Sequence, residues 1–243
     1  MPIAQLRNCL HISLSKIALL LGIALFSSKA LLAQDERMHN PEHDEKPYYF
    51  GITLGFNSAQ YKVFNSKYFI DYDTIKNITP IWKPGFQLGI MGNLRLTSFV
   101  DLRAIPSFML REKGLIFTTY QDSTLTHTFE SILFSMPIEA KFKSDRQRNF
   151  RFYVAAGAKL DFDFNANAKS KRSNEIIKVK PFDYGYNLGL GFEFYYPNFI
   201  FAPEIKVSNG LGNTLLRNTE EPTNKAIDRL TTRMIIISFH IEG

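Results

Sequence analysis

The stretch FRFYVAAGAKLDFD (150–163) sets Phe150, Phe152, Val154, Ala156, Ala158, Leu160 and Phe162 at every second position. Arg151, Tyr153, Ala155, Gly157, Lys159, Asp161 and Asp163 lie between them. A period of two sustained over this length describes a β-strand with two unlike faces. The same pattern returns as Phe50, Ile52, Leu54, Phe56 against Gly51, Thr53, Gly55, Asn57, and as Tyr184, Tyr186, Leu188, Leu190, Phe192, Phe194 against Gly185, Asn187, Gly189, Gly191, Glu193. Eight such segments are legible, near 48–58, 86–95, 99–110, 129–143, 150–163, 184–195, 199–208 and 231–242. No part of the chain after residue 33 has a helical period.

The connectors alternate as well. Those at 96–98, 144–149 and 197–198 are short, and those at 59–85, 111–128, 164–183 and 209–230 are long. This is the signature of an up-and-down meander with all its tight turns at one end, the form of outer-membrane barrels. Pro106, Pro137 and Pro203 each remove a ladder donor and predict irregular pairing at those points.

Alternation alone leaves open which face meets water. A soluble lipocalin-like barrel also has eight strands but turns its apolar face inward. Three features favour lipid outside. The apolar rows have the length of a tilted membrane strand, about 9–11 residues. Aromatic residues gather near strand ends, as in Tyr48-Tyr49-Phe50, Phe150 with Phe152, Phe162 with Phe164, and Phe194-Tyr195-Tyr196, where membrane interfaces favour them. The opposite face carries charges of both signs among small residues.

One set, Asp101, Arg103, Glu139, Lys141, Arg151 and Glu193, lies near the short-turn end; a second, Lys159, Asp161, Glu204 and Lys206, lies nearer the long loops. Each set is balanced in sign, as burial in a narrow lumen demands. The expected fold is therefore all-β: an eight-stranded antiparallel up-and-down transmembrane β-barrel, residues 48–243, with short periplasmic turns and long extracellular loops. A lumen of this size is filled by side chains, so the charges read as structural plugs.

The N-terminus reads as an export signal. Arg7 and Lys16 precede the apolar run 17–26, and small residues follow, with cleavage expected after Ala33. Residues 34–47 are polar and aperiodic and read as a flexible periplasmic tail. Cys9 lies inside the signal, so the exported chain has neither disulfide nor thiol nucleophile. A net charge of +6 is spread through the chain rather than clustered, which argues against a nucleic-acid partner.

Few residues carry chemistry. His39 and His43 with Glu42, Asp44 and Glu45 could hold a metal, but such residues in a polar segment are more often solvated. His127 and His240 have no sequence-evident Ser and acidic partner. The GLG at 189–191 sits in a strand and that at 210–212 opens a loop; neither leads into a helix as phosphate binding requires. Lys169, Lys171 and Arg172 form a small basic cluster in a loop, either a solvated tip or a contact for anionic lipopolysaccharide. The expectation is no catalytic, cofactor or metal site, no cofactor, and no small-molecule substrate.

With these strands laid out, the sequence resembles the PorT family, called SprT in gliding bacteria. The resemblance is carried by PYYFGITLGFN (47–57), MPIEAKFKS (136–144), PFDYGYNLGLGFEF (181–194) and FAPEIKVSNGLGN (201–213) in that order, over about 47–241. It implies a non-enzymatic barrel of the outer membrane, partnered by lipid and by other type IX secretion components. That machine exports cargo with C-terminal sorting domains and in some bacteria supports gliding. A passive pore, a surface adhesin and a soluble carrier are the alternative roles for a chain of this pattern.

Overall fold

The alternating segments become one hydrogen-bonded ladder closed on itself. In the computed structural model, the described residues are 38–66, 75–119, 124–166, 178–216 and 226–243. The expected signal segment 1–33 and the loop cluster Lys169, Lys171 and Arg172 lie outside them. The strands are β1 (Tyr48–Asn65), β2 (Ile75–Ile81), β3 (Lys83–Arg95), β4 (Val100–Ala104), β5 (Ser107–Thr119), β6 (Thr124–Lys143), β7 (Phe150–Asp163), β8 (Lys178–Val179), β9 (Phe182–Tyr195), β10 (Ile200–Gly210), β11 (Leu215–Leu216) and β12 (Ile227–Glu242).

Around the ring the order is β1-β12-β10-β9-β7-β6-β4/β5-β3, and antiparallel pairing of β3 with β1 closes it. β4 and β5 are a single stave interrupted at Ile105-Pro106, so the ring has eight staves. Ile105 faces Pro137 of β6 across this break, and Pro106 faces Met136. The carbonyls of both prolines remain in use, accepting from Ile90 at 3.1 Å and Ile105 at 3.2 Å, so only the donors are missing. The β9–β10 ladder likewise lapses at Ala202-Pro203.

Outward side chains form apolar rows: Phe50, Ile52, Leu54 and Phe56 on β1, Phe86, Leu88 and Ile90 on β3, and Leu188, Leu190 and Phe192 on β9 are all exposed. On a water-facing surface so much continuous apolar area would be a liability; against hydrocarbon it is the matching solvent, and a closed sheet leaves no unpaired edge within it.

Two expectations need correction. The long connector 111–128 is mostly strand: β5 and β6 stay paired from Ser107↔Ser135 to Thr118↔Thr124. β1 likewise runs on to Asn65, paired with β12. These strands rise past the lipid belt, where nothing requires apolar residues, so hydrophobic alternation fades while the ladder continues. Beyond the belt their inward faces enclose a separate apolar core of Tyr61, Leu115, Phe117, Leu215, Ile227 and Leu230, flanked by β2 on β5 and by the short β8–β11 pair.

The second correction concerns 34–47. Residues 39–47 do not form a free tail. Pro41–Glu45 make a 3-10 turn, and the segment docks on the periplasmic turns. The Asn149 side chain accepts the His39 amide hydrogen bond at 2.8 Å, Asn40 donates to the Tyr196 carbonyl at 3.1 Å, and Arg146 donates to the carbonyls of His39 and Asn40.

Candidate functional site: the ion-paired barrel interior

All ten charged residues singled out in the sequence are buried in the lumen. Their grouping differs from the expected one. Glu204 and Lys206 belong not with Lys159 and Asp161 but with Arg103 and Glu139, because β10 is staggered against β6 around the ring. Arg103 Nη2 lies 2.6 Å from both Glu139 Oε2 and Glu204 Oε2. Lys206 Nζ lies 2.7 Å from Glu139 and 2.9 Å from Glu204. Two cations and two anions thus form a closed square, each charge with two opposite neighbours. Tyr153 donates to Glu204 at 2.9 Å and Asn187 to Glu139 at 3.0 Å, which satisfies further lone pairs of the buried carboxylates.

Below this square, toward the short turns, a second network fills the barrel. Lys141 pairs with Glu193 at 2.5 Å and Glu242 at 3.3 Å, and its Nζ sits 4.5 Å from the Tyr153 ring centroid. Asp101 accepts from Lys143 and from the Tyr49 hydroxyl, both at 2.7 Å. Tyr195 donates to Glu193 at 2.7 Å. The folded N-terminal segment completes the layer: Asp44 pairs with Arg151 at 3.0 Å and Arg146 at 3.1 Å. Nearer the loops, Lys159 and Ser135 both donate to Asp161 at 2.6 Å, Thr232 donates to Asp183 at 2.6 Å, and Arg111 lies 3.9 Å from Asp163.

The sequence reading did not place Glu242, Lys143, Asp183, Asp44 or the tyrosines 49, 153 and 195 in this network. Period two would have found several of them: Glu242 shares the face of His240 and Ser238. Tyr49 and Tyr195, expected at the membrane interface, instead turn inward, and with Tyr153 their hydroxyls bind carboxylates. The glycines at 189 and 191 face inward, and a Cβ on Gly191 would fall 2.3 Å from the Tyr153 ring. The residue is glycine because Tyr153 occupies that space.

His240 has acquired partners that the sequence did not reveal. Its Nδ1 shares a 2.8 Å hydrogen bond with Thr53 Oγ1, and its Nε2 lies 3.6 Å from Glu204. Hydroxyl, imidazole and carboxylate in line resemble a nucleophile with its base, yet Thr53 has no accessible surface and no substrate carbonyl can reach it. The His127 side chain lies outside the described residues. His43 and Asp44 are held by aromatic rings and arginines rather than by a metal-like cluster, and no group of three or more potential ligands forms among the described residues. Asn57, Asn93 and the Arg95 Nη atoms, on the β1–β3 wall, have no hydrogen-bond partner among the described residues.

No curated protein matches the chain by sequence. Solved structures with a similar fold include OprG from Pseudomonas aeruginosa, at 11% identity over 79% of this chain and 95% of that one with a TM-score of 0.45. Ail, the attachment invasion locus protein of Yersinia pestis, is 11% identical over 82% and 100%, with a TM-score of 0.38. The protease OmpT of Escherichia coli is 9% identical over 80% and 95%, with a TM-score of 0.34. Residues 32–216 match the outer membrane protein beta-barrel domain family, and the chain belongs to that family, as an integral protein of the outer membrane.

Proposed function

We propose that this barrel is a non-enzymatic component of the type IX secretion system, needed for export of cargo bearing C-terminal sorting domains. The PorT resemblance supplies the system. The observation that carries the mode of action is the filled lumen: three ion-paired layers, with the 39–47 segment across the periplasmic end. Such a barrel acts through its surfaces, as an anchor or assembly partner, and leaves the passage of cargo to other subunits. In this reading the lumenal charges are structural.

The test is deletion of the gene with complementation in trans, followed by assay of sorting-domain cargo at the cell surface and in the periplasm. Periplasmic retention of cargo, reversed by complementation, is the expected result; normal surface delivery in the deletion strain ends the proposal. Surface binding is a second reading, favoured by the strands that continue past the lipid belt. A deletion strain that exports normally but loses attachment would select it.

A further inference from the structure

The outer surface of β1 and β12 changes character abruptly at one height. On β12 the outward row Ile241, Ile237, Ile235 ends at Arg233, and on β1 the row Ile52, Leu54, Phe56 gives way to Ser58, Gln60 and Lys62. Register places Gln60 beside Arg233, Lys62 beside Thr231 and Phe64 beside Arg229. Arg233, Lys62 and Arg229 are exposed and therefore rise as a diagonal of three cations on one outward face, starting where the apolar belt stops.

The side chains are organised rather than splayed. Lys62 Nζ lies 4.9 Å from the Phe64 ring centroid, and the Arg229 guanidinium lies 5.9 Å from the same ring. Arg229 also donates to the Leu211 carbonyl, which fixes its direction. None of the three forms an ion pair among the described residues. Asp228, in the bulge beside Arg229, is the one described acid flanking the patch. Two staves from β1 around the ring the outward charge is reversed: Glu112 and Glu130 face each other across β5 and β6, and among the described residues only Lys83, 3.8 Å from Glu112, offsets them.

Lipid headgroups begin at this level. Their phosphates are the anions within reach of side chains standing directly above an acyl-facing row, and arginine matches phosphate with paired donors. We propose that the Lys62–Arg229–Arg233 face binds the phosphate of an outer-leaflet glycolipid of the lipid A type, with the acyl chains lying along Phe56, Ile235, Ile237 and Val207. The barrel then carries one preferred lipid on a defined side, while the Glu112–Glu130 side repels it.

The test uses the full barrel in detergent micelles with fluorescent diphosphorylated lipid A as probe. A basic residue near an anionic lipid surface contributes about fivefold in affinity, so Lys62→Gln, Arg229→Gln and Arg233→Gln each weaken binding by about that factor, and the triple variant by on the order of a hundredfold. Lys46→Gln, an exposed lysine at the opposite, short-turn end of the barrel, leaves binding unchanged. Lipid A stripped of phosphate binds the wild type as poorly as intact lipid A binds the triple variant. Heat-modifiable gel mobility checks that each variant is folded; should the triple fail, the three single variants decide. Binding by the folded variants within about twofold of wild type overturns the proposal, as does equal binding of the dephosphorylated lipid. Displacement by millimolar inorganic phosphate overturns the lipid assignment in favour of a free-phosphate site.

Discussion

Arg103 shows how much one side chain can hold in a narrow barrel. It spans from β4 to Glu139 on β6 and to Glu204 on β10, two carboxylates far apart in sequence, and is itself fully buried. Removing one member of a buried ion pair leaves its partner charged and dry, at a cost of about 3–5 kcal/mol. Arg103→Met leaves Lys206 alone between two carboxylates and is expected to destabilise the barrel by about that range. Glu139→Gln keeps the shape and one accepting oxygen but sets an amide NH2 against the donors of Arg103 or of Asn187 and Lys206, and is also expected to destabilise. Melting of the purified variants by circular dichroism, with heat-modifiable mobility as the fold check, measures both; an Arg103→Met barrel that melts with the wild type would show that the square carries no stability. The inward direction of Arg103 and Glu139 was readable from period two. Their pairing with Glu204 and Lys206 was not, because the stagger between β6 and β10 accumulates over the intervening strands and leaves no mark in local sequence.

At the level of elements, the folded 39–47 segment behaves as a latch. His43 is wedged edge-on against Tyr49 at 4.5 Å and Tyr195 at 6.1 Å between ring centroids. Burial pushes its pKa down to about 4, aided by Arg95 and Lys46 and opposed by Glu193 and Asp44. Asp44 shifts down from the usual carboxylate range: burial opposes ionisation, but Arg151 and Arg146 outweigh it. The docked segment therefore keeps His43 neutral while a released one takes up a proton at the ordinary value of 6.5. Docking is strongest above pH 6.5 and weakens as pH falls toward 4, by about 2 kcal/mol at pH 5. The Asp44 contribution persists through this window and is lost only at still lower pH. Limited proteolysis of residues 39–47 should accelerate between pH 7 and 5 in the wild type. It should stay flat over that range in His43→Phe; an equal pH response in that variant would refute the role of His43. Strand positions were legible where lipid imposes apolar rows, whereas this segment has no period. Its docking depends on Arg146, Asn149, Arg151 and Tyr195, more than a hundred positions away.

For the molecule as a whole, closure has an electrical consequence. A ring of eight staves leaves no axial space that its own side chains do not use, and every lumenal layer described is crossed by ion pairs. Reconstituted in planar bilayers, the protein is expected to give no steady conductance; sustained large openings would contradict the filled lumen. The barrel class and its filling follow from patterning that any strand would show. The proposed type IX role rests instead on the order of several non-catalytic segments, since no side-chain constellation among the described lumenal residues encodes it.

The strands that outlast the lipid belt also set a distance. From Glu130 to Thr124, β6 continues for about 20 Å along its axis, which at the usual tilt of such barrels lifts the hairpin roughly 15 Å above the level where the headgroups begin. That is comparable to the radius of gyration of a hundred-residue domain, about 13 Å. A soluble protein of that size can therefore grip the tip of this barrel without entering the hydrocarbon. A partner recruited here would need no membrane anchor of its own.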